Sequence, residues 1–329
     1  MTKLENHITA KEGRLTYFDI AKGIGIFLVV VGHSIPDAAS SAGISVQGYR
    51  VLHDIIYSFH MPLFFFIAGY MMSREKMLAR GQNGFDIIRK RVSRLLIPYF
   101  FVGLLYAPFK VLLANFSNRP YDISGLWMIF IGVNPDGELW FLYSLFVVTC
   151  IVSLFGLRIS KLGLMITAVF TISSIVWPMV FNYLFFLMFG IYVRKNTPKF
   201  IERISVKYVV LCCAIFIVCN YLTISLKMTG LFIITAISGI VITLWISYRL
   251  SLKKSWLIAK LETWGIFSMD IYILSDIIKI PFRIILWNKM HCYTLSFVVC
   301  IVMGVALSLW VSKNVIRENK YLKRCILGE

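Results

Sequence analysis

Two apolar stretches, YFDIAKGIGIFLVVVGHS at 17–34 and HDIIYSFHMPLFFFIAGY at 53–70, carry Asp19, Lys22, His33, His53 and His60. Ionisable side chains are costly in a bilayer and turn toward an interior cavity, so each is a candidate for function. An α-helix advances about 100° per residue, so the eleven residues from Lys22 to His33 return within ~20° of the same direction. Both therefore lie on one stripe, separated by about 16 Å along the axis. Asp19, three residues before Lys22, shares it. An imidazole titrates near neutral pH, so His33 is suited to accept and return a proton. The structural alternative makes Asp19–Lys22 an ion pair and His33 an interfacial residue.

In the second stretch His53, Tyr57 and His60 are spaced four and three apart and share a face. His60 lies about 10 Å further along the helix than His53, within reach of His33 across a bundle. His60 also precedes Met61–Pro62, so it could instead satisfy carbonyls freed at a proline kink. His53 reads as interfacial and Asp54 as solvated. Glu138 opens another apolar stretch, GELWFLYSLF. It is either a helix-start carboxylate favoured by the helix dipole or a group that orients His33 or a substrate hydroxyl. The partner of His33 is open between His60 and Glu138. In RKRVSR at 89–94, Arg91 and Arg94 would share a helical face at the entrance to an apolar segment. Guanidinium forks bind phosphate well; the plainer reading is a basic anchor at the membrane surface. Asp270 and Asp276, followed by Lys279 and Arg283, are expected to pair among themselves, as Asp276–Lys279 can at i, i+3. They receive little weight as site residues.

These groups need elements to hold them. The chain has 329 residues, 59% hydrophobic and 15% charged; a soluble domain is about 45–50% apolar and about 25% charged. Its net charge of +18 falls in clusters between apolar runs, as a membrane surface selects, which argues against nucleic acid. Segments of about 20 apolar residues are read as spans: 15–35, 52–73, 95–115, 138–157, 162–178, 181–193, 208–226, 230–249, 264–287 and 294–312. The pair 162–178 and 181–193, split at Trp177–Pro178, is short. Basic residues crowd alternate loops, from Lys3, Lys11 and Arg14 through Arg74, Lys76, Arg80 and Arg89–Arg94, Arg158 and Lys161, Arg194–Lys207 and Arg249–Lys260 to Lys313–Arg324. The opposite loops hold Arg50, Arg119, Lys227 and Lys289. This asymmetry places both termini in the cytoplasm. The expected fold is an all-α polytopic bundle of about ten transmembrane helices, forming one domain over 1–329. The polar start carries no signal-peptide pattern. The seven cysteines show neither zinc spacing nor a disulfide framework, and no metal site is expected. Trp127 and Phe130, in the long loop 116–137, are expected at the membrane surface.

The chain resembles the acyltransferase 3 family of integral membrane acyltransferases, in particular its fucose 4-O-acetylase-like polysaccharide O-acetyltransferases. The matching pieces are FDIAKGIGIFLVVVGHS, SFHMPLFFFIAGY, the R-x-x-R of RKRVSRLLIPYF, ELWFLYSLF and, more weakly, WGIFSMDIYIL. The resemblance implies a multi-pass protein of the plasma (inner) membrane. It implies acetyl-CoA or another short acyl-CoA as the cytoplasmic donor substrate, with no permanently bound cofactor. It also implies a hydroxyl of a cell-surface glycan or its lipid-linked precursor as acceptor, with membrane lipid around the chain and a homo-oligomer as an open alternative. The family's basic residue followed after ten others by His corresponds to Lys22 and His33, with Lys where much of the family has Arg. Its R-x-x-R corresponds to Arg91 and Arg94, donor contacts there. Where the family often has His after the late I-Y-x-L segment, this chain has Ser275. On this reading His33 is the catalytic base or an acylated nucleophile, with His60 or Glu138 orienting acceptor or charge. Asp19, Lys22, Arg91 and Arg94 hold the donor. The competing expectation is a polytopic exporter of a glycan or small solute, although inverted repeats are not evident.

Overall fold

The computed structural model describes residues 15–35, 47–72, 84–112, 123–154, 161–173, 178–228 and 230–329. Lys3, Lys11, Arg14, Arg74, Lys76, Arg80, Arg119, Arg158 and Trp177 lie outside the described residues. Among the described residues there are helices and turns and no strand. In order they are α1 (Thr16–Ser34), α2 (Gln47–Tyr57), α3 (His60–Met71), α4 (Gly84–Arg91), a π turn (Val92–Leu96) and α5 (Ile97–Leu112). Two 3₁₀ segments follow (Ile123–Ile131 and Gly137–Leu139), then α6 (Trp140–Leu154), α7 (Lys161–Ser173), α8 (Pro178–Asn196), α9 (Phe200–Arg203), α10 (Val206–Leu226) and α11 (Phe232–Ser251). The chain closes with α12 (Trp256–Ile266), α13 (Ser268–Arg283), a π turn (Ile284–Lys289), α14 (Tyr293–Val311), a second π turn (Ser312–Ile316) and α15 (Lys320–Leu327).

Among the described residues, six helical stretches are long and apolar enough to cross a membrane: Thr16–Ser34, Gln47–Met71, Ile88–Leu112, Val206–Leu226, Phe232–Ser251 and Tyr293–Ile316. Gly137–Ser153 and Lys161–Ile172 are shorter apolar helices. The all-α membrane bundle is therefore the architecture. Two of the expected spans are not single straight helices. The stretch 52–73 breaks at Phe59 (φ −146°, ψ −21°). Pro62 has no N–H for the Ser58 carbonyl, so the helix restarts at His60. The stretch 264–287 breaks at Phe267, whose N–H turns back to the Gly265 and Thr263 carbonyls.

The first helix is the hub. It packs against α12, α11, α13, α14, α3 and α2, and Tyr17, Phe18, Ile20, Ala21, Ile26, Val29 and Val30 are buried around it. By contrast α10 leaves Val206, Val210, Leu211, Ile217 and Val218 exposed, the surface a lipid-facing helix presents. Without a hydrophobic drive between helices in lipid, close backbone approach carries the packing. A Cβ on Gly265 would lie 1.7 Å from the Asp19 carbonyl oxygen, and one on Gly23 would lie 2.0 Å from that of Leu261. The α1–α12 crossing therefore has room for hydrogen only at both places. A second such crossing joins α3 to α8, where Gly69 meets Leu187 and Gly190 meets Phe66.

Gly265→Leu is accordingly expected to remove most folded protein from membranes. The overpacking is against backbone, so its cost exceeds the usual ~1–3 kcal/mol of an overfilled core. Gly48→Ala, with nothing within 4 Å of the added atom, should leave the folded yield unchanged. Monodisperse protein recovered in detergent is the readout; equal recovery of both variants contradicts the crossing.

Candidate active site

His33 stands in the last turn of α1. Its Nδ1 lies 3.0 Å from Oε1 of Glu138, and the Tyr57 hydroxyl lies 3.3 Å from Nδ1 and 3.4 Å from Nε2. The two candidate partners are thus distinguished by geometry. Glu138 meets the imidazole directly. His60, 1% exposed, donates from Nδ1 to the Ile56 carbonyl at 2.8 Å, and its ring stands edge-on to Tyr57. It adds a second donor to a carbonyl at the helix break, which also takes the Phe59 N–H, and supports the tyrosine that faces His33. His53 stacks on the other side of that tyrosine, ring centroids 3.8 Å apart, and pairs with Asp54 at the surface.

Local sequence explains how Glu138 is held. Asp136 accepts the Glu138 N–H at 3.1 Å and caps the 3₁₀ turn that leads into α6, a role short carboxylates favour. Asn134 accepts the Asp136 N–H and donates to the Tyr99 carbonyl at 2.9 Å. The Tyr272 hydroxyl donates to the Glu138 carbonyl. Both ends of the Glu138 peptide are therefore fixed, and NPDGE folds into the bundle rather than standing out as a loop, with Asn134 and Asp136 buried. Trp127 and Phe130, in the preceding 3₁₀ segment, are exposed.

Behind Glu138 lies a group that the sequence weighed lightly. Lys279 on α13 is 3% exposed. Its Nζ is 3.5 Å from Asp276 Oδ1 and 3.9 Å from Glu138 Oε1. The Tyr106 hydroxyl donates to Asp276 Oδ2 at 3.4 Å. The i, i+3 pair Asp276–Lys279 forms as its spacing predicts, but it faces the site rather than closing on itself. The signal was the charge count: four ionisable residues, Asp270, Asp276, Lys279 and Arg283, in one apolar helix demand an interior polar surface.

A family comparison identifies the kind of chain that carries these groups. The acyltransferase domain of the acyltransferase 3 family matches residues 15–313. The chain belongs to that family. It is also 29% identical over 132 residues to nodulation protein NolL of Mesorhizobium japonicum, which covers 40% of this chain and 33% of that protein. The chain thus spans about a third of that relative's length. No solved structure matches it.

Within this family member the other candidate residues lie apart from His33. Asp19 and Lys22 pair at 2.8 Å, beside the α1–α12 crossing. Arg91 ends α4, half-buried, and a π turn separates it from Arg94, whose guanidinium is exposed. Arg94 Nη1 holds Glu329 Oε1 at 2.5 Å. The same carboxylate takes Arg317 at 2.8 Å and Lys323 at 3.6 Å. Arg317 in turn forks onto Asp270, Nε to Oδ2 at 2.9 Å and Nη2 to Oδ1 at 3.1 Å. These last contacts were not foreseen, because they join residues 235 and 47 positions apart in sequence. Ser275, at the position where the family often has His, is fully buried.

Partial burial works against the Glu329 charge, but Arg94 and Arg317 outweigh it and hold its carboxyl below the usual range. A folded-state pKa depressed in this way adds stability above the unfolded-state value and loses it as pH falls through the folded one. Solvent screens the contact, so it is worth no more than about 1 kcal/mol. Amide hydrogen exchange in α15 should therefore quicken modestly as pH is lowered through the acidic carboxyl range, after correction for intrinsic exchange. Glu329→Gln should remove that dependence. A dependence that survives the substitution assigns it to another group.

Proposed function

We propose that this chain moves a short acyl group, acetyl in the first instance, from acyl-CoA to a hydroxyl of a cell-surface glycan or its lipid-linked precursor. His33 is the general base. The observation that carries the reading is the 3.0 Å contact between His33 Nδ1 and Glu138. A carboxylate on Nδ1 keeps the proton on that nitrogen and leaves the Nε2 lone pair to accept one from an alcohol. The acceptor oxygen then bonds to the thioester carbonyl carbon as Nε2 takes its proton. The tetrahedral adduct expels the sulfur, and the C–S bond breaks. The proton returns from Nε2 to the departing thiolate, so an ester and a thiol leave and the imidazole is restored. Glu138 stabilises the imidazolium that exists between these two transfers.

Family membership supports acyl transfer as the reaction class. The donor and acceptor rest on residue chemistry. Arg91 and Arg94 offer guanidinium forks for the phosphates of a coenzyme A thioester. Glu329 already occupies Arg94, so an incoming phosphate competes with that carboxylate. Lys22, 27% exposed, offers a further cation on the stripe that leads along α1 to His33. The pantetheine arm would follow that stripe, which puts donor phosphates and acceptor hydroxyl at opposite ends of α1 and both termini on the donor side, in the cytoplasm.

His33→Ala should abolish acyl transfer while leaving the protein inserted and folded. Glu138→Gln should lower kcat on the order of 10²–10⁴-fold, the range of a general acid–base contribution. Acyl content of the surface glycan and thiol release by purified protein from acetyl-CoA are the measurements. Glycan acetylation unchanged by His33→Ala sinks the reading. Arg91→Gln with Arg94→Gln should raise KM for acetyl-CoA with little effect on the quantity of inserted protein; an unaltered KM confines the two arginines to anchoring.

A further inference from the structure

Lys279 is the most deeply buried cation described near the site. Among the described residues its Nζ makes no hydrogen bond, and neither does Glu138 Oε2. The ammonium instead stands 3.5 Å from Asp276 and 3.9 Å from Glu138. A slot is built for its stem. Gly304 on α14 faces the Lys279 Cγ and Cδ, and a Cβ there would lie 3.5 Å from each and 2.9 Å from Val30. The helix therefore delivers a cation through a gap between α1 and α14 to a place where two carboxyls meet.

Two adjacent carboxyls held mostly away from water, as Glu138 and Asp276 are, tend to share one proton, because like charges close together in low dielectric cannot both ionise. A Glu138 that retains that proton cannot act as a carboxylate toward His33. We propose that Lys279 is a positioning residue for the acyl-transfer site: its ammonium offsets Asp276, so that Glu138 stays ionised against His33 Nδ1. The inference rests on the reading of His33 as the base.

The other groups around this centre are accounted for in turn. On α13 itself Arg283 adds a half-buried cation that solvent partly screens, and Tyr272 is spent on the Glu138 carbonyl. From α5, Tyr106 donates to Asp276. From the 3₁₀ turn, Asp136 is spent on capping. From α14, the Cys300 thiol lies against the Lys279 carbonyl. Tyr57 and His60 approach from the His33 side. Lys279 is thus the group whose removal changes the charge balance of the carboxyl pair most.

Removing the ammonium while keeping the stem, in Lys279→Met, makes the carboxyl pair and the imidazole bind protons more tightly. Both effects have the same sign. The acid limb of kcat against pH should move up by about one unit, with a loss of up to about tenfold on that limb. Deleting the opposing charge as well, in Lys279→Met with Asp276→Asn, leaves Glu138 as the single carboxylate beside His33. That double variant should regain most of the activity and return the limb toward wild type. Lys279→Arg should retain the wild-type limb if the wider head is accommodated. Thiol release from acetyl-CoA by purified protein is followed from pH 5 to 9, with thermal unfolding in detergent as the check on folding. An acid limb that stays in place in folded Lys279→Met overturns the inference. So does a double variant no more active than the single one at equal thermal stability. If wild-type protein shows no transfer, or folded His33→Ala retains it, the underlying reading fails instead.

Discussion

A helix that places Asp19, Lys22 and His33 on one stripe can sit in a bilayer only if that stripe faces other protein. Most of the architecture follows from this constraint. The first helix is flanked by six others, and its backbone is met by that of α12 at Gly23 and Gly265. The groups that answer its polar residues must themselves come from inside the bundle. Glu138 does so because NPDGE folds inward under the Asp136 cap and the Tyr272 hydroxyl. Asp276 and Lys279 do so because α13 turns its charged face inward, and the break at Phe267 lets that helix start at its own angle after the tight contact of α12.

The same helix ties two polar regions together. Near its start Asp270 takes the Arg317 fork and the Ser312 hydroxyl, and Arg317 shares Glu329 with Arg94. Nine residues on, Lys279 reaches the carboxyl beside His33. At 1.5 Å per residue these points are about 14 Å apart along one axis. The Arg94 cluster and the His33 centre are therefore fixed to the two ends of one rigid element, at a spacing close to that between Lys22 and His33 on α1.

What could be read from the sequence was what local periodicity carries. The all-α membrane bundle, the positions of most helices and the gathering of His53, Tyr57 and His60 on one face all follow from apolar length and from spacings of three and four. The Asp276–Lys279 pair follows too. The weight given to it did not, because i, i+3 spacing says that two side chains can meet and nothing about what third group lies beyond them. The choice between His60 and Glu138 was closed to sequence for a related reason. His60 is drawn to the Ile56 carbonyl by the break before Pro62, whereas Glu138 reaches His33 through a contact between segments more than a hundred residues apart. The Glu329 contacts lie further still from any local pattern. Pro62 marked the break at Phe59, whereas the one at Phe267 was hidden because hydropathy measures length and apolarity, not continuity.

Buried polar groups in a folded protein are nearly always satisfied, so those that are not ask for a reason. Here Glu138 Oε2 and Lys279 Nζ are both unsatisfied, the first on the residue that meets the imidazole and the second one residue behind it. Had the cluster served stability alone, a hydrophobic set of similar volume would pack as well without burying charge. The remaining polar residues of this region show the contrast. Asp136, Asn134 and Tyr272 spend their hydrogen bonds on backbone groups and hold one short segment in place. They satisfy the backbone so that Glu138 need not, and its carboxylate is left for His33. That division, with capping residues on the peptide and a charged pair beside the imidazole, is what the proposed proton transfer would require and what packing alone would not.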